Sequence, residues 1–406
     1  MDNTSLSVLV MLPLIAVLAP ILAAVIGRLV RIPLVVFEIV LGILFGPALL
    51  GWMTPTDTTD KLSDLGLAML FFLAGNEIDF GKIRGRPINR SIVGWLLAMV
   101  AGVLLGLLLA PTPAAGVFIG VALTSTALGT LMPILRDAGE LRTPFGTAVI
   151  AIGAVGEFGP LIAISVFLSG RRPGVATIVL LGFVLITSIA IYLASHRPHT
   201  RIHRLITATL HTSGQFAVRL VLLLVLGLVA LSVLLGLDML LGAFAAGVIT
   251  KLLLSGADPH DVEEVDGKLE AVGFGFLVPI FFISTGLNFD LSALVSDART
   301  LLMLPAFLLL LLLVRGSSTL LTSRGCASPD KRAIVLLGAT GLPIIVAVTN
   351  IGVEDGALPS GTAAALVGAG MLSVLLFPLI GLAMHGKAPD GAPKAPDLSE
   401  EIPEEG

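Results

Sequence analysis

The chain has 406 residues, of which 56% are hydrophobic and 13% are charged, and its mean hydropathy is +1.02. Soluble domains carry about 25% charged residues, so this composition excludes a protein built around one aqueous core. A net charge of -4 does not favour a nucleic-acid partner, and the single cysteine, Cys326, excludes an intrachain disulfide.

Apolar stretches long enough to cross a bilayer recur from one end of the sequence to the other. A membrane of about 30 Å is crossed by about 20 apolar residues in a helix, and helices satisfy their own backbone groups in lipid. The pattern therefore predicts an all-α membrane protein with about 13 transmembrane helices. The predicted spans are 6–27, 33–51, 62–80, 91–111, 115–135, 145–169, 174–195, 217–236, 238–254, 271–288, 300–322, 332–352 and 361–385.

The order of the spans suggests how the chain is organised. A linker helix at 174–195 would separate two inverted six-helix repeats, at about 6–169 and 217–385, within a transmembrane domain of residues 1–386. Residues 387–406 are rich in proline and acidic residues, which predicts a disordered cytoplasmic tail. The excess of Lys and Arg in alternate loops places the N-terminus outside and the C-terminus in the cytoplasm.

Acidic residues are rare within the early spans. Glu38 lies in the second span, where a role in packing or gating is expected, and Glu77 is expected at the cytoplasmic interface. A charge inside a membrane is costly, so each such residue is a candidate for function.

The fifth and twelfth spans both carry signals for an interrupted helix. The fifth contains Thr124, Ser125, Thr126 and Gly129, and the twelfth contains Thr340, Gly341 and Pro343. Hydroxyl side chains, glycine and proline all weaken a helix. Interrupted helices at corresponding places in two repeats point to a binding site, although hydroxyl groups in membranes also serve simply to join helices.

Glu157 is the sharpest candidate, because it lies in the middle of the apolar sixth span. Gly156 and Gly159 flank it, so another helix or water can approach its carboxylate closely. Pro160 clashes with the carbonyl four residues earlier, which is that of Gly156 and would be left free. A carboxylate beside free carbonyl oxygens can hold a monovalent cation, and burial favours its protonated form. The alternative is a purely structural pair with Arg315.

Arg315 lies in an apolar run of the eleventh span. A buried guanidinium stays protonated and needs a counter-charge, for which Glu157 is the best candidate. Alternatively, the span ends early and the Arg315 side chain reaches the cytoplasmic interface.

Five stretches, at 38–47, 65–75, 123–129, 240–247 and 279–287, together resemble the sodium/proton exchanger-domain family in its cation:proton antiporter-2 branch. The resemblance covers the membrane part and implies a homodimer in which two interrupted helices cross beside the ion site of a core domain that moves like an elevator. The family usually places two polar residues in the sixth span, and the second binds ion and proton. The matching positions here hold Gly156 and Glu157, and the family's basic residue of the eleventh span matches Arg315.

These observations lead to one hypothesis for function. The protein would be a multi-pass plasma-membrane transporter, surrounded by lipid, that exchanges a monovalent cation (Na+ or K+) for protons by alternating access. Glu157 would bind the cation or the proton, the neighbouring hydroxyl groups would complete the coordination, and a single carboxylate predicts electroneutral exchange. No cofactor is expected. The alternative is a channel-like cation or K+ efflux pathway; a membrane enzyme would need clustered His, Asp or Cys, which the spans lack.

Overall fold

A computed structural model describes residues 3–26, 32–78, 85–141, 143–168, 173–196, 215–254, 258–324 and 326–385. These residues are helical throughout, with short turns and no β-strand among them. The all-α prediction is therefore confirmed. The predicted tail at 387–406 lies outside the described residues.

The first half contains eight helices among the described residues. They are α1 (Asn3–Ile26), α2 (Leu34–Phe45), α3 (Asp57–Glu77), α4 (Arg86–Leu109), α5 (Pro113–Ala122), α6 (Leu128–Asp137), α7 (Pro144–Ala163) and α8 (Pro173–His196). A π-helical turn, Ile164–Leu168, follows α7.

The second half contains nine α-helices among the described residues. It contains α9 (Phe216–Leu234), α10 (Met239–Leu254), α11 (Pro259–Val272), α12 (Val278–Leu287), α13 (Leu291–Val295), α14 (Ala298–Leu310), α15 (Ser328–Gly338), α16 (Pro343–Glu354) and α17 (Ser360–Met384). π-helical turns join α11 to α12 (Gly273–Leu277) and extend α14 (Leu311–Gly316).

Seven helical segments of the described residues are long and apolar enough to cross a membrane, and five shorter apolar helices accompany them. The outward faces of α4, α8 and α9 carry exposed leucine, isoleucine and valine side chains, as expected of surfaces in contact with lipid. The chain is therefore a multi-pass membrane protein. The number of thirteen spans, the inverted symmetry of the halves and the orientation of the termini stay predictions.

Several helices approach one another closely through glycine. A side chain at Gly75 of α3 would collide with the backbone carbonyl of Phe244, and one at Gly247 of α10 with that of Phe72. Small residues let the two backbones come together where larger ones would hold them apart. This contact fixes α3 against α10 in the interior of the molecule.

The structure shifts some predicted boundaries. The second span was expected to run to 51, but α2 ends at Phe45, and the Gly46 N–H donates to the Gly42 carbonyl at 2.9 Å before the chain turns. The helix of the third span begins earlier than predicted, at Asp57, because Thr56 and Thr59 cap each other reciprocally. The fifth and twelfth spans are each broken, as predicted.

Candidate functional site

The two interrupted helices meet at their breaks. Helix α5 ends at Ala122 and α6 begins at Leu128, while α15 ends at Gly338 and α16 begins at Pro343. The Ala127 N–H donates to the Thr340 carbonyl at 2.8 Å, so backbone groups freed in one break are used by the other. The predicted crossing of two interrupted helices is confirmed.

Side-chain hydroxyl groups explain why α5 stops where it does. Thr124 Oγ1 donates to the Val121 carbonyl at 2.8 Å, and Ser125 Oγ donates to the Ala122 carbonyl at 2.9 Å. These bonds satisfy the last carbonyls of α5 without a further helical turn. Each hydroxyl oxygen also keeps lone pairs with which it can accept a hydrogen bond or contact a cation.

Thr126 joins three elements. Its N–H donates to the Gly156 carbonyl at 2.9 Å, its Oγ1 donates to the Gly338 carbonyl at 2.6 Å, and the same Oγ1 accepts from Arg315 Nε at 2.8 Å. The expectation that Pro160 leaves the Gly156 carbonyl free is therefore wrong. That carbonyl is released from the helix, as the chemistry of proline requires, but the Thr126 amide takes it.

Arg315 is buried, with 1% of its surface exposed. Its Nη2 donates to the Ile152 carbonyl at 2.7 Å, its Nε to Thr126, and its Nη1 makes a long contact of 3.5 Å with Ser318 Oγ. The side chain therefore does not reach the interface. The expected direct pair with Glu157 is also not formed, because the described residues show no ion pair or hydrogen bond between the two groups.

Gly156 explains where the guanidinium lies. A Cβ atom at this position would stand 2.5 Å from Arg315 Nη2 and 2.5 Å from Thr126 Oγ1. The two polar groups thus occupy the space that a side chain at 156 would need. This accounts physically for the Gly-Glu sequence at positions where the family resemblance leads one to expect two polar side chains.

Glu157 is 1% exposed, and neither of its carboxylate oxygens has a hydrogen-bond partner among the described residues. The backbone amides of Leu128 and Gly129, at the N-terminus of α6, face the carboxylate, but neither makes a hydrogen bond of ordinary geometry to it. Glu77 is a second acidic group within electrostatic range. The N-terminus of a helix favours negative charge, but a buried carboxylate without a bonded partner is costly.

Two residues that the sequence did not single out belong to these surroundings. Ser373 of α17 accepts a hydrogen bond from the Gly341 N–H at 3.0 Å and donates to the Gly370 carbonyl at 2.7 Å. The indole of Trp95 packs where a side chain at Gly159 would otherwise lie. A hydroxyl group in the middle of the apolar last span was the available signal for Ser373.

The predicted site residues are thus largely brought together. Thr126, Thr340, Gly341 and Arg315 lie at the crossing. The Ile152 carbonyl accepts a hydrogen bond from Arg315 and the Gly156 carbonyl accepts one from Thr126, and Glu157 follows Gly156 directly in α7. Gly129 stands in the first turn of α6, and Pro343 begins α16. Among the described residues, no three His, Cys, Asp or Glu side chains converge on a point that could hold a metal ion.

Comparison with known families gives one match over most of the chain. The model of the family described as "Sodium/hydrogen exchanger, transmembrane" matches residues 14–382. Among solved structures, the sodium proton antiporter MjNhaP1 from Methanocaldococcus jannaschii at pH 8 superposes with a TM-score of 0.64 at 16% identity, covering 93% of this chain and 96% of that one. At this identity the similarity shows the fold.

Three named relatives are similar in sequence. The putative Na(+)/H(+) antiporter YjbQ of Bacillus subtilis is 27% identical over 93% of this chain, which spans 63% of the length of that protein. The Na(+)/H(+)-K(+) antiporter GerN of Bacillus cereus is 25% identical over 76% of this chain and 82% of its own length. The Na(+)/H(+) antiporter of Enterococcus hirae is 25% identical over 87% of this chain and 92% of its own length.

Proposed function

Because the chain belongs to the sodium/hydrogen exchanger family of transmembrane proteins, we propose that it exchanges a monovalent cation, Na+ or K+, for protons across the plasma membrane. The names of its relatives support this choice of substrates, since they are Na(+)/H(+) or Na(+)/H(+)-K(+) antiporters. Transport would proceed by alternating access, with the N-terminus outside, in a homodimer.

The observation that carries the proposal is the Glu157 carboxylate, which lies beside the crossing and has no hydrogen-bond partner among the described residues. A carboxylate buried in this way is stable in two states, either protonated or in contact with a cation. The two states exclude each other, because the proton and the cation occupy the same oxygens. Coupling between cation and proton follows directly from that competition.

The crossing supplies the rest of the ion's surroundings. The Thr124 and Ser125 hydroxyl groups and the carbonyls of the two breaks offer neutral oxygens, which suit Na+ or K+ once the carboxylate has supplied the charge. Arg315 would act as a counter-charge at a distance, held in place by Thr126 and Ile152 rather than by Glu157 itself. It would thereby stabilise the ionised carboxylate when neither a proton nor a cation is bound.

Substitution Glu157→Gln tests the assignment, because an amide keeps the shape but neither ionises nor carries a proton. In proteoliposomes, cation-dependent proton flux should fall to the level of protein-free vesicles. Glu263→Gln is the matched control, since Glu263 is exposed on α11, and it should leave flux unchanged. Flux retained in E157Q would remove Glu157 from the site. Cation flux that needs no counter-moving proton would indicate a channel-like pathway instead.

The stoichiometry has a separate test. If Glu157 alone exchanges one cation for one proton, an imposed membrane potential should not drive net exchange. Proton flux would be followed at equal cation and proton gradients while the potential is set independently. A potential that drives net exchange would show that each cycle carries net charge across the membrane, which Glu157 exchanging one cation for one proton does not.

A further inference from the structure

A large cavity lies beside the site just described and is distinct from it. It has a volume of about 820 Å³ and is bordered by α2, α6, α12 and α17 and by the π-helical turn before α12. Ala138 and Ala383 line it, so it reaches the face of the molecule at which α6 and α17 end. The distribution of Lys and Arg predicts that this is the cytoplasmic face.

The walls of this cavity are almost entirely apolar, and Glu38 of α2 is the one titratable side chain among the described residues that line it. Only 3% of the Glu38 residue is exposed. Within the described part of the chain, the Glu38 carboxyl group forms no hydrogen bond and no ion pair.

A purely structural role does not account for this placement. A glutamate used for packing or for locking helices is expected to have a bonded partner, since an unpaired polar group in an apolar environment costs about 1–3 kcal/mol or more. Glu38 instead lines the cavity without an ion-pair partner among the described residues. The same space could be lined at lower cost by leucine, as it is at neighbouring positions such as Leu34 and Leu70.

The inner end of the cavity approaches the Glu157 site. Gly129 and Thr130, in the first turn of α6, line the cavity, while the amides of Leu128 and Gly129 act on the Glu157 carboxylate. Glu157 itself does not line the cavity. One turn of α6 therefore separates a cavity containing one carboxylate from a buried site containing another.

We propose that Glu38 is a second cation- and proton-binding carboxylate, which receives the ion in this cavity before it passes to Glu157. The proposal rests on the proposed exchange function and adds a first binding site for the ion within the cavity. A cavity of this size holds an alkali cation together with water molecules, so Glu38 would bind a partly hydrated ion and Glu157 a more dehydrated one. A single charge in an apolar cleft raises the local concentration of its counter-ion.

Kinetics on each face of the membrane test the proposal. In vesicles of each orientation, Glu38→Gln should raise the KM for the cation by about 10-fold or more on the face to which the cavity opens, the scale on which a charged cleft concentrates ions. The KM on the opposite face should change less than about 2-fold, because the cavity does not serve that face. Glu38→Asp should restore the KM, and Glu263→Gln should behave like the unchanged protein.

Two results would overturn the proposal. An unchanged KM on both faces would show that Glu38 does not take part, and an equal change on both faces would show a structural role. Failure of the proposed function is distinguishable, since the unchanged protein would then show no exchange. If exchange depends on Glu157 while E38Q behaves normally, only the present inference fails.

A labelling experiment covers the case in which E38Q does not fold. Glu38→Cys is combined with Cys326→Ser, which removes the one native thiol. A charged, membrane-impermeant thiol reagent should modify the introduced thiol from the face to which the cavity opens and much more slowly from the other. Absence of labelling from both faces would exclude an ion path through the cavity.

Discussion

The absence of a side chain at Gly156 determines where two neighbouring polar side chains lie. Arg315 and Thr126 occupy the volume beside its Cα, and the guanidinium reaches the Ile152 carbonyl one turn earlier in α7. The positive charge is thereby fixed on the Ile152 carbonyl and the Thr126 hydroxyl, without a hydrogen bond or ion pair to Glu157. A direct ion pair would compete with the transported cation for the carboxylate oxygens, whereas a charge held by neutral groups leaves those oxygens available.

The substitution Gly156→Ala tests this arrangement. The new methyl group would displace Arg315 or Thr126, and overpacking of this kind costs about 1–3 kcal/mol. The melting temperature of the purified protein in detergent should fall, and cation-dependent proton flux in proteoliposomes should fall with it.

Gly227→Ala is the matched control, because Gly227 lies in α9 with no atom near the position of an added Cβ. Alanine favours the helix by about 1 kcal/mol over glycine, so this variant should be as stable as the original or slightly more stable. Equal melting temperatures for G156A and G227A would contradict the close approach of Arg315 to α7.

At the scale of elements, the crossing depends on Thr126 more than on any other described hydroxyl group. Thr124 and Ser125 bond only to the end of their own helix, α5. Thr126 instead connects its break to α7, to α15 and, through Arg315, to the end of α14. Loss of its hydroxyl group would leave the Gly338 carbonyl and Arg315 Nε without the partners they have here.

Substitution Thr126→Val removes the hydroxyl group while keeping the shape. Because it leaves buried polar groups unsatisfied, one of them charged, we expect a loss of about 2–4 kcal/mol in the free energy of unfolding and a large loss of flux. Thr187→Val in α8 is the control, since the Thr187 hydroxyl bonds only to carbonyls of its own helix. Chemical denaturation of both variants gives the comparison, and equal losses would show that Thr126 does not join the elements.

The positions of the two helix breaks were predictable from the sequence, but the hydrogen-bond partners of the groups around them were not. Hydroxyl residues at 124–126, and Gly341 with Pro343, act through local chemistry that is visible in the sequence. The partner of Arg315 depends on the π-helical turn at Leu311–Gly316, which changes the face on which side chains emerge. The fate of the Gly156 carbonyl likewise depends on a segment thirty residues earlier in the chain, and no local pattern specifies that contact.

For the whole molecule, apolar length located the helices because lipid forces every crossing segment to bond internally. Cavities between helices carry no such signal. Glu38 could be identified as an intramembrane charge, but its position in a cavity that ends at α6 comes from the packing of α2 against distant helices. Ser373 and Trp95 escaped notice for the same reason.

His385 provides a test of how the interrupted helices are tied together at one face of the molecule. Its Nδ1 lies 2.9 Å from Asp330 Oδ1 at the start of α15, and its Nε2 lies 3.0 Å from Glu140 Oε1 in the loop after α6. The ring also stacks on Phe145 of α7, with 3.9 Å between centroids. One side chain at the end of α17 therefore contacts residues of both interrupted helices at the ends that lie away from their breaks.

The substitution His385→Ala should lower the free energy of unfolding by about 1–3 kcal/mol, because it removes the ring that contacts the partly buried carboxylates of Asp330 and Glu140, of which Glu140 keeps only the Thr143 hydroxyl as a side-chain donor among the described residues. His260→Ala, at an exposed position on α11, should have no measurable effect. The link itself is measured by a double-mutant cycle with Asp330→Asn. Residues in contact show coupling of about 0.5–3 kcal/mol, so the two losses should not add. Additive losses would mean that His385 packs at this face without joining α17 to α15.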